Sequence, residues 1–236
     1  MTRTSESPRR VLLVGATQGL GLALAGKYLQ EGWHVRATTI TPSADLQAFQ
    51  ARHPGQCIVH RLDITDRPAV AALARDLEGE ALDVLHVVAG AFQSTFAPIW
   101  AQPDAEILRL LQTNAIGGVR LAEALASRVR DDGTFVFTSS GMGSLARNDR
   151  GDVDLYRISK AALNMLVRSF AARRQERGQR VLLLCPGWAK TAMGGPEATV
   201  EVSTSVDGMY RIVSQPATAR VCGAQFLEYS GDVVPW

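Results

Sequence analysis

The chain has few cysteines, three among 236 residues. Cys57, Cys185 and Cys222 form neither a CxxC pair nor a pattern with the spacing of metal ligands, so the sequence predicts no disulfide framework and no metal site. An odd number of widely spaced cysteines is typical of a reducing compartment. We therefore expect a cytoplasmic protein whose cysteine side chains are buried as small apolar groups.

The chain also lacks a strong charge of either sign. Its formal net charge is +2 and no run of lysine and arginine exceeds two residues, so bulk electrostatics predict neither a nucleic-acid nor a membrane partner. No apolar stretch reaches the length of a membrane span. Arg9-Arg10 precedes an apolar run that superficially imitates a secretory signal, but Gly15, Gln18 and Gly19 interrupt that run. We therefore expect no leader peptide.

Short apolar runs do occur, and they alternate regularly with helix-like segments. Residues 10–15 are continuously apolar after the first position, which is typical of a strand buried on both faces of a parallel sheet. The alternation predicts an α/β fold, a Rossmann-type doubly wound parallel sheet with helices on both faces. The predicted strands cover residues 10–15, 34–39, 57–62, 84–88, 134–138, 180–185 and 225–229, and the predicted helices cover 22–30, 42–52, 103–130, 156–170, 204–214 and 216–223. A further helix, capped by Thr65 or Asp66, ends near residue 77.

We interpret residues 1–236 as a single domain. Residues 1–8 are polar and are expected to be flexible. Residues 192–205 are polar and carry glycine, a composition that suits a lid over a bound substrate. No repeat, linker or low-complexity segment divides the chain.

The predicted helix at residues 103–130 contains residues that disfavour a regular helix. Asn114 lies near its middle and is followed by Gly117-Gly118, and each glycine costs about 1 kcal/mol relative to alanine in a helix. A local sequence that opposes its own secondary structure often has a functional reason. We therefore predict that the helix is kinked at Asn114 and that this kink serves the function of the protein.

Glycines follow the first predicted strand. Gly15, Gly19 and Gly21 lie between this strand and the first predicted helix. Glycine allows backbone N–H groups to approach phosphate oxygens, and the positive end of the helix adds to their attraction. Glycine clusters also form ordinary turns, so this motif predicts a diphosphate site only in a suitable context.

Polar and small residues also follow other predicted strands. Asp63, Ala89-Gly90 and Ser140 each come at or just after the carboxyl end of a strand. Ligands of open α/β sheets bind beyond these ends. We therefore expect these residues to converge with the glycine loop on one site.

Tyr156 and Lys160 lie four residues apart in a predicted helix, so their side chains share one face. An ammonium about 4 Å from a phenol contributes roughly 4 kcal/mol at an effective dielectric near 20. At about 1.4 kcal/mol per unit, Lys160 is expected to lower the pKa of Tyr156 by about two to three units. The same helix carries an ordinary apolar stripe at Leu163, Leu166 and Val167, so the pair can also arise by chance and its context decides.

Taken together, these residues resemble the classical short-chain dehydrogenase/reductase family over essentially the whole chain. The shared motifs are Gly15-x-x-x-Gly19-x-Gly21, Asp63, Asn114, Ser140, Tyr156-x-x-x-Lys160 and Pro186-Gly187 with Thr191. Residues 139–144 and 156–164, with the ending Val234-Pro235-Trp236, are most similar to the C-factor-like branch. The resemblance implies a mainly parallel sheet of seven strands in the order 3-2-1-4-5-6-7.

The resemblance implies four catalytic residues. Tyr156 would be the general acid/base, and Lys160 would lower the pKa of its phenol and hold the nicotinamide ribose. Ser140 would hydrogen-bond the substrate oxygen, with Ser139 as the competing candidate for this role. Asn114 would support a water chain that returns a proton through Lys160.

The resemblance also implies a binding site for NADP or NAD. The glycine loop would hold the pyrophosphate, Asp63 the adenine amine, Ala89-Gly90 the adjoining ribose and Thr191 the carboxamide. The full predicted cofactor set is Gly15, Thr17, Gln18, Gly19, Leu20, Gly21, Thr39, Asp63, Ile64, Ala89, Gly90, Tyr156, Lys160, Pro186, Gly187 and Thr191.

Cofactor choice depends on the end of the second strand. A carboxylate there accepts the ribose hydroxyls of NAD, whereas a nearby arginine accepts the phosphate of NADP. Here the two positions are Thr39 and Ile40, and Gln18 stands where the family often has arginine. Because no carboxylate repels a phosphate, and hydroxyls of Thr17, Thr39 and Thr41 are available to bind it, the sequence favours NADP over NAD.

A second departure from the family lies in the fourth strand. Val87-Val88 occupy the place of two asparagines, so a polar group that braces the loop beside the long helix is missing. We expect the support around Asn114 to be built differently.

We therefore expect an NAD(P)-dependent oxidoreductase that interconverts a carbonyl and a secondary alcohol, acting on a small molecule as a homo-oligomer, dimer or tetramer. A non-catalytic cofactor-binding or signalling protein is the alternative, supported by Val87-Val88. An epimerase or dehydratase is disfavoured, because the glycine spacing differs and few residues follow Lys160. Apolar residues that could line a substrate pocket are Phe92, Phe96, Trp100, Met142, Leu145, Trp188 and Met193.

Overall fold

The computed structural model describes residues 8–215 and 223–236. Its strands are β1 (Arg10–Val14), β2 (His34–Thr39), β3 (Cys57–Arg61), β4 (Leu82–Val87), β5 (Val129–Thr138), β6 (Arg180–Cys185) and β7 (Ala224–Glu228). Its α-helices are α1 (Gly19–Gln30), α2 (Ala44–Arg52), α3 (Arg67–Asp76), α4 (Asp104–Leu111), α5 (Gly118–Ala124), α6 (Asp154–Ala172) and α7 (Val202–Ser214). Short 3₁₀ helices cover Ile99–Ala101, Gly141–Gly143 and Gln175–Arg177.

The seven strands form one sheet in the order β3-β2-β1-β4-β5-β6-β7, and every neighbouring pair is parallel. This order confirms the predicted fold class. Since the order reverses between β1 and β4, the crevice beyond their carboxyl ends is the place where such sheets bind ligands.

Each face of the sheet is covered by its own apolar cluster. In β1, Leu12 and Val14 belong to one cluster, whereas Val11 and Leu13 belong to the other, and all four side chains are fully buried. Successive side chains of a strand point to opposite faces, so a continuously apolar strand requires a layer on both sides. The apolar run in the sequence therefore became an interior strand of the sheet.

Several predicted bounds agree with the structure. The bounds of β2 and β6 are as predicted, and α3 is capped by Asp66, whose side chain accepts a hydrogen bond from the Ala69 N–H at 3.2 Å. Asp66, not Thr65, is therefore the capping residue. Helix α1 begins at Gly19, three residues before the predicted start, because its first turn includes the end of the glycine loop.

The predicted helix at residues 103–130 is wrong in its second half. It is divided into α4, a π-helical turn over Gln112–Gly117 and α5, which already ends at Ala124. Strand β5 begins at Val129, where it pairs with Leu82 before a shift of register, so Gly133 lies inside the strand and does not open it. A Cβ on Gly133 would lie 3.0 Å from the Asp83 carbonyl oxygen, which explains why glycine occupies this irregularity.

The segment after β6 also differs from its prediction. Helix α7 begins at Val202, so the last four residues of the predicted lid at 192–205 are helical. Ser205 is fully buried and donates a hydrogen bond to the Pro186 carbonyl oxygen at 2.7 Å. Residues 216–222 of the predicted helix at 216–223 lie outside the described residues, as do Cys222 and residues 1–7 of the terminus that was predicted to be flexible.

Across residues 8–215 and 223–236, none of the helices combines the length and the apolar character that crossing a bilayer requires.

Candidate active site

The glycine loop after β1 is shaped by close contacts between backbone segments. Gly15 has a φ of +92°, and a Cβ on it would lie 2.6 Å from the Cα of Ala89. A Cβ on Gly21 would lie 2.0 Å from the Gly15 carbonyl oxygen. Both positions therefore require glycine, and the loop presents backbone rather than side chains at the N-terminus of α1.

Gly19 plays a different part in the same loop. Its φ is +55°, and a Cβ on it would meet the Thr191 methyl group at 3.4 Å. Thr191 belongs to the segment after β6, so the glycine loop and that segment approach each other across the crevice. Thr191 also accepts a hydrogen bond from the Gly194 N–H at 3.1 Å, which holds the start of the predicted lid.

Asp63 lies just beyond the carboxyl end of β3, whereas Thr191 follows β6 on the opposite side of the glycine loop. One of its carboxylate oxygens accepts hydrogen bonds from the Thr65 N–H at 2.8 Å and the Thr65 hydroxyl at 2.7 Å. This contact fixes the direction of the carboxylate. Asp63 and Ile64 both line the cavity described below, as the sequence predicted.

The segment beyond β4 is held by Asn114 from the π-helical turn. The Asn114 side-chain oxygen accepts from the Ala91 N–H at 2.7 Å, and its amide group donates to the Ala91 carbonyl at 2.8 Å and to the Ser159 hydroxyl at 2.9 Å. A Cβ on Gly90 would lie 3.5 Å from the ammonium of Lys160 and 3.4 Å from the Asn114 oxygen. Gly90 therefore lets this segment lie directly against the catalytic candidates.

Tyr156 and Lys160 are both buried in the first half of α6. Tyr156 is 9% exposed and Lys160 is 3% exposed, and both line the cavity. The Lys160 ammonium lies 5.7 Å from the centre of the Tyr156 ring and donates a hydrogen bond to the Thr138 carbonyl oxygen at 3.0 Å. The pair therefore stands side by side as predicted, with the ammonium bonded to β5.

The expected lowering of the Tyr156 pKa is not found in this structure. Burial raises the pKa of Tyr156 to about 12, and a hydrogen bond with Ser140 opposes this shift only in part. Burial also lowers the pKa of Lys160 to about 8. Desolvation is the largest cause of the shift in both pKa values, and the Lys160 ammonium donates its hydrogen bond to the Thr138 carbonyl.

The two adjacent serines after β5 have different partners. The Ser139 hydroxyl donates to the side-chain oxygen of Asn164 at 2.6 Å, so it is occupied within the protein. The Ser140 hydroxyl accepts from the Met142 N–H at 3.2 Å and interacts with the Tyr156 phenol. Asn164, one turn beyond Lys160, also donates to the Gly143 carbonyl at 3.0 Å, a contact for which the sequence had no signal.

Thr39 lies behind the cavity wall and does not line it. Its hydroxyl hydrogen-bonds with the Thr17 hydroxyl at 2.9 Å and with the Thr41 carbonyl, while Ile40 and Thr41 line the cavity. Ser43 caps α2 and also donates to the Thr17 carbonyl at 3.0 Å. The hydroxyls of Thr17 and Thr39, which the sequence suggested as partners of the NADP phosphate, therefore already bond with each other.

Val87 shows how the fold accommodates the missing asparagines. Val87 belongs to the apolar cluster on one sheet face, and a Cβ on Gly118 would lie 2.9 Å from its methyl group. The position is thus filled by packing against α5. Val88, the second of the two valines, lines the cavity described below.

These residues surround one cavity of about 890 Å³, within the usual size range of cofactor pockets. It fits a dinucleotide, because side-chain-free backbone lies at the phosphate position, with Asp63 on one side and the Tyr156 and Lys160 pair on the other. Of the predicted site residues, Thr39, Asn114, Ser140 and Gly187 do not line it directly.

The sequence missed one wall of this cavity. The wall is a face of α4 and of the turn after it, and its residues have the spacing of a single helical face. They are Ala105, Leu108, Arg109 and Gln112. This helical spacing was the available signal for the wall. An exposed helix face has the same spacing, however, and α4 carries no motif that marks these residues as lining a cavity.

Residues 9–201 match the model of a family described as short chain dehydrogenase. C-signal of Myxococcus xanthus is 39% identical over 134 residues, which cover 56% of this chain and 80% of that protein. A short-chain dehydrogenase/reductase from Burkholderia multivorans with bound NADP has a TM-score of 0.93 and 37% identity, covering 98% of this chain and 100% of that chain. A carbonyl reductase from Pseudomonas aeruginosa in complex with NADP has a TM-score of 0.89 and 36% identity, with the same coverage of 98% and 100%.

Proposed function

Because this chain belongs to the short chain dehydrogenase family and is an NAD(P)-dependent oxidoreductase, we propose that it reduces a carbonyl to a secondary alcohol with Tyr156 as proton donor. The observation that carries this proposal is the buried Tyr156 phenol, with Lys160 beside it and Ser140 hydrogen-bonded to it, on the wall of the cavity. A phenol on the wall of a cavity can donate its proton to a carbonyl oxygen bound there.

The chemistry divides between the cofactor and the chain. NADPH or NADH supplies the hydride when it is bound. Tyr156 donates its phenolic proton to the substrate oxygen, and Ser140 donates a hydrogen bond to the same oxygen. Lys160 holds the cofactor ribose and, through a chain of water molecules supported by Asn114, returns a proton to the phenolate.

The raised pKa of Tyr156 favours the direction of reduction. With a pKa of about 12, the phenol is protonated at neutral pH and is ready to act as an acid. Alcohol oxidation would require the phenolate, which burial disfavours. We therefore propose that carbonyl reduction is the faster direction at neutral pH and that oxidation gains as the pH rises.

The decisive experiment replaces Tyr156 by phenylalanine. We expect Tyr156→Phe to lower turnover by about 1,000-fold or more, because the proton donor is gone, and to leave NADPH affinity within about twofold. A panel of aromatic and aliphatic ketones and aldehydes is screened by the loss of nicotinamide absorbance, with the corresponding alcohols assayed in reverse.

Tyr28 supplies a matched control. It is fully buried, its hydroxyl has no hydrogen-bond partner, and it packs against the rings of Trp33 and Tyr210 at the other face of the sheet. Tyr28→Phe should leave turnover unchanged. Full activity of Tyr156→Phe would refute the role of Tyr156.

We also propose that the protein is a homo-oligomer built on α4 and α6. Ile158 and Met165 are exposed apolar residues of α6, with exposed fractions of 45% and 65%, and α6 packs against α4. Exposed apolar side chains on such a helix are typical of an interface between subunits. Met165→Glu should shift the mass measured by light scattering towards the monomer, and an unchanged mass would contradict this interface.

Cytoplasmic location stays a prediction from cysteine usage.

A further inference from the structure

The first turn of α6 begins in an unusual way. Its N-cap residue, Val153, has a φ of +47° and a ψ of +46°, and it is the one non-glycine residue with positive φ among those described. A β-branched residue in this conformation is strained by about 1 to 3 kcal/mol. Valine also has no side-chain acceptor, so it cannot bond the free N–H groups that open every helix.

Gln93 supplies the acceptor that Val153 lacks. The Gln93 side-chain oxygen accepts a hydrogen bond from the Tyr156 N–H at 3.0 Å. Tyr156 is the third residue of α6, and its N–H is one that an ordinary N-cap side chain would bond. The cap thus comes from a residue 63 positions earlier in the chain.

The Gln93 side chain is held on both sides. Its amide nitrogen donates to the Thr95 carbonyl oxygen at 2.6 Å, and the residue is only 5% exposed. Because the Tyr156 N–H can be accepted only by the side-chain oxygen, these two contacts define the orientation of the amide. Phe92, the preceding residue, lies against Tyr156 with a ring separation of 4.7 Å.

The segment that carries Gln93 is tied to the cofactor side of the cavity. Asn114 bonds both the N–H and the carbonyl of Ala91. Arg109 donates to the Phe92 carbonyl at 3.1 Å, and Glu106 accepts from the Ser94 N–H at 2.9 Å. Residues 91–94 are therefore each held in place, directly after the strand end that lines the cavity.

We propose that Gln93 is a positioning residue for catalysis: it caps α6 and so fixes the Tyr156 phenol relative to the cofactor held at Ala89 and Gly90. This inference rests on the proposed function, since it assumes that Tyr156 is the proton donor. A displacement of about 1 Å of a reacting group can cost about 100-fold in rate, so a cap at this place controls chemistry more than binding.

The test compares two glutamines of the same region. Gln93→Met removes both polar groups at nearly unchanged volume. Gln102→Met is the matched control, because Gln102 is 6% exposed and bonds Thr95 and Ala97 but makes no hydrogen bond to α6. We expect Gln93→Met to lower kcat by about 30-fold, with the KM for the carbonyl and the Kd for NADPH each changed less than about threefold. Gln102→Met should keep kcat within about twofold at a similar loss of Tm.

A conservative variant and a measurement without turnover complete the test. Gln93→Glu keeps an acceptor for the Tyr156 N–H but puts a carboxylate oxygen in place of the donor to the Thr95 carbonyl, so its kcat should rise relative to that of Gln93→Met as the pH falls and the carboxyl is protonated. Hydrogen exchange in the NADPH complex should be at least about tenfold faster for the first-turn amides of α6 in Gln93→Met, but not in Gln102→Met.

The possible failures are distinguishable. If Tyr156→Phe keeps its activity, the proposed function itself is wrong. If Tyr156→Phe is inactive but Gln93→Met behaves like Gln102→Met, or the kcat of Gln93→Glu does not rise relative to that of Gln93→Met as the pH falls, the positioning role alone is overturned. Unchanged exchange of the first-turn amides in Gln93→Met would also overturn it.

Discussion

The two halves of the cavity are built in different ways. The dinucleotide half depends on backbone that approaches backbone, as at Gly15 and Gly21, and its glycines are close together in the chain. The catalytic half depends on side chains that reach across the fold, as in the contact of Gln93 with Tyr156 and that of Lys160 with Thr138. The glycines of the first half are readable as a motif although their contacts with Ala89 and Thr191 are distant in the chain, whereas the side-chain contacts of the second half have no such motif.

This difference predicts different consequences of mutation. A side chain added to the dinucleotide half meets backbone that cannot move, so binding of the cofactor is lost. A side chain removed from the catalytic half leaves the cavity open but misplaces a reacting group or removes its charge. The rate of the chemical step therefore falls before cofactor binding does.

The largest effect is expected in the dinucleotide half. Gly21→Ala places a Cβ 2.0 Å from the Gly15 carbonyl oxygen, so the loop must rearrange. We expect a cost of at least about 3 kcal/mol, or more than about 100-fold in the Kd of NADPH measured by its fluorescence.

Gly26→Ala is the control for this prediction. Gly26 lies in the same helix, and a Cβ there would meet only the tip of the Phe49 ring at 3.2 Å. This variant should bind NADPH normally. Equal binding by both variants would show that the glycine loop tolerates side chains, and the contrast between the halves would fail.

The next effect concerns the buried charge of the catalytic half. Burial lowers the pKa of Lys160 from 10.5 to about 8, so between these values the unfolded chain binds more protons than the folded one. The free energy of unfolding therefore rises with pH across this window, by about 3 kcal/mol in total. Below pH 8 both states are protonated and the full cost of the buried ammonium remains.

Lys160→Met tests this linkage in the cofactor-free protein. The variant has no group to titrate at this position, so its free energy of unfolding should lack the rise. Urea unfolding of both proteins below and above the window measures the difference, and the titration of tyrosines cancels between them. Parallel pH profiles would show that Lys160 is not desolvated in the folded protein.

The smallest effect is expected at the rim of the dinucleotide half. Ile40 is 52% exposed and lines the cavity where the strand β2 ends. Ile40→Arg adds a cation for the phosphate that distinguishes NADPH from NADH, and Ile40→Asp adds a repelling charge. At a solvent-exposed position each substitution should change the relative binding free energy of NADPH and NADH by about 1 kcal/mol. The ratio of their Kd values then changes roughly fivefold, in opposite directions for the two variants. Shifts of the same sign would exclude Ile40 from cofactor choice.

Much of this molecule could be predicted because its signals are local. The apolar run of β1 required a layer on each face, and the glycines after it predicted a phosphate loop that the close contacts at Gly15 and Gly21 explain. The spacing of Tyr156 and Lys160 was sufficient to place both on one face of α6. Periodicity and steric restriction act over a few residues, so both can be recognised in the amino-acid sequence.

Tertiary structure alone decided how these groups behave. The division of the predicted long helix, the position of Thr39 behind the cavity wall and the capping of α6 by Gln93 depend on partners far along the chain. The pKa of Tyr156 was expected to fall and instead rises to about 12. The reason is that spacing on a helix determines which groups are neighbours, whereas burial and the direction of each hydrogen bond determine the energy of a charge, and both arise only when the elements pack together.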